Sequence, residues 1–125
     1  MNNEKYSIVI VDDETEILNV LSRFLTRNAN FSVSTYSNPI TALSSIGNAK
    51  VDLVLLDIMM PQMNGLEVLE KIKVNNPEQK VIMMTAYSTL DKVLKSHKEG
   101  ATNYVMKPFD SLQALEKKII EVLKS

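Results

Sequence analysis

The chain has 125 residues, no cysteine, 45% hydrophobic and 23% charged residues, and a formal net charge of −1. These values describe one ordinary globular domain and exclude disulfides and thiolate metal sites. The balanced charge gives no long-range pull toward nucleic acid or anionic lipid. No apolar run approaches the roughly 20 residues of a membrane span, and the start MNNEKYS has no signal-peptide core.

Short runs rich in Val, Ile and Leu alternate with longer amphipathic stretches. The first run, 6–11, leads into Asp12 and Asp13. Next comes a helical stripe of Ile17, Leu18, Leu21, Phe24 and Leu25, with Asp13 and Glu16 at capping-box spacing ahead of it. After the run 31–36, Asn38 and Pro39 read as an N-cap with proline at the first helical position, and Gly47 as the stop. The run 51–56 ends at Asp57, and residues 65–75 carry Leu66, Leu69 and Ile72 before Pro77. The run 81–85 ends at Thr85. A fourth helix then has Ser88 and Asp91 as its cap, Leu90, Val93 and Leu94 on its stripe, and Gly100 at its close. The run 104–106 leads into Lys107. Asp110 and Gln113 repeat the capping box ahead of a last helix whose stripe is Leu112, Leu115, Ile119, Val122 and Leu123.

The pattern is βα repeated five times with no linker or low-complexity tract. It predicts an α/β fold, a doubly wound five-stranded parallel sheet with five helices and right-handed crossovers. Sites in such sheets form beyond the carboxyl ends of the strands, where the winding reverses. With strand order 2-1-3-4-5, that edge collects Asp12, Asp13, Asp57, Thr85 and Lys107. Two unit charges about 4 Å apart cost roughly 4 kcal/mol at an effective dielectric near 20, so three clustered carboxylates need either protonation or a cation. Three Asp and one Lys sum to −2, which one Mg²⁺ cancels, and an all-oxygen donor set suits a hard divalent ion, Mg²⁺ or Mn²⁺. Such a pocket accepts a phosphoryl group, whose oxygens take the cation, Lys107 and the Thr85 hydroxyl as partners, and a carboxylate is a competent nucleophile for it.

The segments VDDE (Asp12, Asp13), LLDIMMPQMNGLEVL (Asp57, Met60, Pro61, Gly65), MTAY (Thr85, Ala86) and GATNYVMKPF (Gly100, Tyr104, Lys107, Pro108) together resemble the response-regulator receiver domain over about 5–120. The resemblance implies a flavodoxin-like fold and one receiver domain spanning 1–125, with no output domain in this chain. It implies Asp57 as phosphoacceptor and Asp13 as the main carboxylate ligand of Mg²⁺. Asp12 would act mostly through a coordinated water, and the Met59 backbone carbonyl would complete the protein ligands. It further implies Lys107 on a phosphoryl oxygen, a cis bond before Pro108, and Thr85 and Tyr104 as a switch pair. That pair alters the face of the fourth helix, fifth strand and fifth helix, which controls a downstream protein. The donor would be a phosphohistidine on a partner sensor kinase or phosphotransfer protein, in the cytoplasm, with no membrane and no direct nucleic-acid contact by this domain. It would not be a turnover enzyme on an external substrate. A homodimer through the last two helices is neither favoured nor opposed by the mixed charges Asp91, Lys92, Glu116 and Lys117. Met59 and Tyr87, two residues after the phosphoacceptor and the switch threonine, lack a strong base, so slow self-dephosphorylation is expected.

Each residue also has a plain structural reading. Asp13 alone is an N-cap, Asp57 a turn residue, Thr85 a strand residue, Tyr104 core or rim, and Lys107 a solvated loop lysine. Gly65 reads as a helix boundary residue, His97 as partly exposed late in the fourth helix, Met59, Met60 and Met63 as loop packing, and Lys117 and Lys118 as a solvated face. A phosphohydrolase of the haloacid-dehalogenase type needs a carboxylate two residues after its nucleophile, where this chain has Met59. A flavodoxin-like redox protein needs a loop rich in Gly, Ser and Thr after the first strand, where this chain has Asp12, Asp13 and Glu14. An interaction module that no longer takes phosphate would be expected to lack Asp57, Asp13 or Lys107, and all three are present.

Overall fold

Along the first strand, β1 (Tyr6–Val11), successive side chains enter two different cores: Ile8 and Ile10 one, Val9 and Val11 the other. Residues 8–11 are apolar at every position and buried, which requires a sheet covered on both sides. A computed structural model of the chain describes residues 5–86, 103–107, 109 and 111–125. It contains β2 (Phe31–Tyr36), β3 (Leu53–Asp57), β4 (Val81–Ala86) and β5 (Asn103–Lys107), all parallel to β1 or its neighbours, in the order β2-β1-β3-β4-β5. The helices are α1 (Thr15–Leu25), α2 (Pro39–Asn48), α3 (Gly65–Asn75) and α4 (Leu112–Lys124), the last being the helix expected fifth. The expected fourth helix lies outside the described residues, with His97, Gly100, Asp91, Lys92 and Tyr87, as do Pro108 and Asp110.

One face of the sheet packs Leu53, Leu55, Ile82 and Met84 against Leu18, Leu21 and Leu25 of α1 and Leu115, Ile119 and Val122 of α4. The other packs Val54, Leu56, Val81 and Met83 against Ala42 of α2 and Leu66, Leu69 and Ile72 of α3. Each fully buried large aliphatic side chain contributes about 1.5–3 kcal/mol of transfer free energy, so the two cores dominate the stability. Among the described residues no helix is long and apolar enough to cross a membrane.

The helix starts follow the expectation in part. Asn38 accepts a bond from the Ile40 amide at 2.8 Å with Pro39 at the first helical position, as expected. The Asp13–Glu16 box does not form. The N-cap of α1 is Glu14, whose side chain makes no capping bond, while Asp12 Oδ1 accepts the Glu14 amide at 2.9 Å. The chain turns out of β1 one residue too late for Asp13 to cap. At α4 the cap is Ser111, whose hydroxyl accepts the Ala114 amide at 2.9 Å. Gly47 lies inside α2 rather than after it, and the helix ends at Asn48, whose side chain bonds back to the Ser44 carbonyl at 2.8 Å. The third strand starts two residues later than its apolar run because Asp52 is otherwise engaged: it takes the Ser7 amide on its carboxylate at 2.7 Å and gives its own amide to the Ser7 carbonyl at 2.9 Å.

Candidate functional site

β1 and β4 flank β3, and β5 pairs with β4, so the carboxyl ends of four strands form one continuous edge. The register sets their heights: Val11 lies opposite Leu56, Asp57 opposite Met84, and Ala86 opposite Lys107. Asp12 and Asp13 therefore leave β1 level with the end of β3. Asp57 is the last residue of that strand, and Lys107 the last of β5.

The side chains converge as expected. One carboxylate oxygen from each of Asp12, Asp13 and Asp57 lies within 4.8 Å of the other two. Lys107 Nζ donates to Asp12 Oδ2 at 2.7 Å and lies 3.3 Å from Asp57 Oδ1. It also donates to Glu14 Oε1 at 3.0 Å. Asp12, Asp57 and Gln79 are the buried polar side chains among the described residues. Two of those three sit in this one pocket, although burying carboxylates is costly.

The electrostatic strain is visible in the protonation equilibria. The Asp57 carboxyl is pushed up to about 7, first by burial and then by the Asp12 carboxylate, with Lys107 pulling the other way. Burial raises Asp12 as well, against its bond to Lys107. For Lys107, burial pushes down, but the bonds to Asp12 and Glu14 and the charge of Asp57 outweigh it, and its ammonium is held above the usual lysine range. One lysine is thus too little positive charge for the carboxylates around it. The donor set fits a divalent metal: hard oxygen ligands, clustered and short of counter-charge.

The floor of the pocket depends on a close backbone approach. Gly65 opens α3 and donates its amide to the Ile58 carbonyl at 2.7 Å. A Cβ at that position would lie 2.7 Å from the Ile58 Cα and 2.9 Å from the Asp57 carbonyl carbon, and closer still to the Asp57 carbonyl oxygen. Gly65 is therefore more than a helix boundary: any side chain would displace the residue that carries the central carboxylate. Asn64 completes the junction by accepting the Glu67 amide at 3.0 Å.

Of the other expected site residues, Thr85 stands one residue before the end of β4, opposite Met106. Tyr104 lies further back on β5, opposite Met83, 37% exposed, beside a cleft shared with Phe109, Ala114 and Lys118. Met59 is 51% exposed two residues past Asp57, whereas Met60 is buried and Met63 packs on the core, which matches loop packing for the latter two. Glu14 is the site residue that sequence reasoning passed over. Its signal is an acid at a helix start, directly after the acidic pair, in a position where glutamate is a poor cap.

A family-level comparison matches residues 8–120 to the response regulator receiver domain. The transcriptional regulatory protein ZraR of Klebsiella oxytoca is 39% identical over 115 residues, covering 90% of this chain and 26% of that protein. The DNA-binding transcriptional regulator NtrC of Escherichia coli K12 is 39% identical over 106 residues, covering 85% of this chain and 22% of the relative. The chain thus spans about a quarter of the length of these curated relatives. Among solved structures, the CheY-like response regulator receiver domain protein of Methanospirillum hungatei superimposes with a TM-score of 0.91 at 36% identity, covering 97% of this chain and 95% of that one. The receiver domain of NtrX from Brucella abortus gives 0.87 at 27% identity, covering 94% and 98%. Fold, strand-end acids and sequence agree along almost the whole chain, which belongs to the response regulator receiver domain family.

Proposed function

We propose that this domain is a phosphoacceptor in two-component signalling and that Asp57 carries the phosphoryl group. A carboxylate oxygen of Asp57 forms a bond to phosphorus as the phosphorus–nitrogen bond of a phosphohistidine breaks, its electron pair returning to the imidazole of the partner kinase or phosphotransfer protein. Asp13, Asp12 and Asp57, with the Met59 backbone carbonyl, would hold Mg²⁺ or Mn²⁺, and the cation would neutralise charge on the phosphoryl oxygens. Lys107 supplies the second positive charge, and the Thr85 hydroxyl is the neutral donor.

The single observation that carries this reading is the ammonium of Lys107 held by Asp12 and close to Asp57, beside the Asp13 carboxylate, at one strand edge. A buried acid in a pocket short of positive charge is prepared for a cation and a group that brings oxygens to it.

The same reading makes Thr85 and Tyr104 the switch. Movement of the threonine hydroxyl toward the phosphoryl group changes the space open to the ring and alters the face of β5, α4 and the expected fourth helix. That face acts on a downstream protein, not on nucleic acid directly. The domain works in the cytoplasm, as one unit over residues 1–125, and turns over no external substrate. The phosphoryl group is long-lived because Met59 offers water neither a base nor a hydrogen bond.

Intact-mass measurement after incubation with acetyl phosphate and Mg²⁺ tests the proposal. Wild type gains one phosphoryl group and Asp57→Asn gains none. Equal gain in both, or none in either, rejects it.

A further inference from the structure

Lys107 divides its ammonium among three carboxylates, and one of them has no part in the chemistry above. Nζ donates to Asp12 at 2.7 Å and to Glu14 at 3.0 Å, while Asp57 stands further off at 3.3 Å. The lysine is therefore drawn toward the β1 side of the pocket rather than centred on Asp57. Asp12 cannot be the adjustable partner, because it is fully buried and also holds the Glu14 amide. Glu14 can, since 60% of its side chain is exposed and water can replace the lysine there at little cost.

The position of Glu14 is itself unusual. It is the N-cap of α1, with φ −86° and ψ 104°, yet its side chain caps nothing. Ser, Thr, Asp or Asn in that place would satisfy a first-turn amide and stabilise the helix. Instead the longer side chain spans the mouth of the pocket to the end of β5. Reach, not capping, is what glutamate supplies at this position.

We infer that Glu14 is a positioning residue that retains Lys107 on the β1 side while Asp57 is unmodified and releases it when a phosphoryl group arrives. The inference rests on Asp57 being the phosphoacceptor. A bond made before transfer and broken after it stabilises the starting state alone, so it slows phosphorylation and leaves the loss of phosphate untouched. Glu14 thereby sets how readily a small donor loads the domain without setting how long the signal lasts.

The test compares Glu14→Gln, Glu14→Asp and Glu16→Gln with wild type, using acetyl phosphate and Mg²⁺ for loading and buffer exchange to follow loss. Glu14→Gln and Glu14→Asp load about threefold faster, the scale of one solvent-exposed ion pair, and lose phosphate at the wild-type rate. Glu16→Gln changes net charge equally, from the exposed first turn of α1, and loads as wild type. The aspartate variant is decisive, because it keeps the charge and is one methylene too short to reach Lys107. A second readout needs neither metal nor phosphate: the side-chain ammonium resonance of Lys107 in metal-free protein shifts in both Glu14 variants and stays in place in Glu16→Gln.

If Glu14→Asp behaves as wild type, or Glu16→Gln matches Glu14→Gln, the effect is bulk charge and the inference is overturned. Phosphorylated wild type with unmoved Glu14 variants overturns it alone. Wild type that takes no phosphate overturns the phosphoacceptor reading, and this inference with it.

Discussion

Gly65 lies so close to Asp57 that the main chain of Asp57 occupies the space a side chain on Gly65 would need: a Cβ there would fall 2.9 Å from the Asp57 carbonyl carbon. The contact is backbone on backbone, so no flexible side chain can yield. Gly65→Ala should destabilise the domain by about 1–3 kcal/mol, the usual scale of overpacking. Urea denaturation reads this as a lower midpoint, and phosphorylation at Asp57 should slow as well. By contrast, Gly47→Ala, with open space around it in α2, should leave the midpoint unchanged or raise it.

Removing Lys107 strands Asp12, whose carboxylate is fully buried and whose bond to the ammonium is the shorter of its two at 2.7 Å. Lys107→Ala should cost metal-free protein about 3 kcal/mol, the lower part of the range for a broken buried pair. Added Mg²⁺ should recover part of the loss, because the cation supplies the charge the pocket lacks. Chemical denaturation in EDTA and in Mg²⁺ provides the comparison. A variant as stable as wild type in EDTA would contradict this account of the pocket.

The protonation of Asp57 ties stability to pH. Its carboxyl is raised to about 7 by burial and by Asp12, so the folded protein binds a proton that the unfolded chain releases at ordinary carboxylate values. The stabilising contribution is complete below the unfolded carboxylate range and is lost as pH rises through about 7. Metal-free wild type should therefore lose stability between about pH 4 and 7. Asp57→Asn should flatten that slope, and saturating Mg²⁺ should also flatten it by favouring the ionised acid. Melting temperatures across this range check the sign.

Asp52 joins β3 to β1 through the 2.7 Å bond from the Ser7 amide. Asp52→Ala leaves that part-buried amide without its acceptor, at about 1–2 kcal/mol. Loading by acetyl phosphate in the folded variant should match wild type, since the bond lies at the opposite end of the strands from Asp57. Denaturant midpoint and loading rate, measured together, separate a fold contact from a site contact.

Met59 is half-exposed two residues after Asp57. On the proposed phosphoacceptor reading, a thioether is no base toward water, so the phosphorylated state should persist. Met59→Asn supplies a polar group and should speed loss of phosphate several-fold without changing stability. Slow loss in the asparagine variant, or rapid loss in wild type, would remove the basis for the long lifetime.

Much of this could be read along the chain. Runs such as LVLL over 53–56, apolar at every position, fit strands buried on both faces, so the parallel α/β sheet and the acids at its strand tips followed from local pattern. Asn38 with Pro39 worked for the same reason, since capping is settled within one turn. The misses share a cause of the opposite kind. Whether Asp13 caps α1 or faces the pocket depends on where β1 releases the chain, and the late start of β3 depends on Asp52 meeting Ser7, 45 residues away. Glu14 reaches Lys107 across 93 residues, and Gly65 is required by the carbonyl of Asp57, which only the packing of α3 on β3 brings near. Periodicity and composition determine which elements form and what chemistry their ends carry. Side-chain partnership across distant strand ends is decided by the folded packing, because burial makes those charges seek each other and only the tertiary register sets which are within reach.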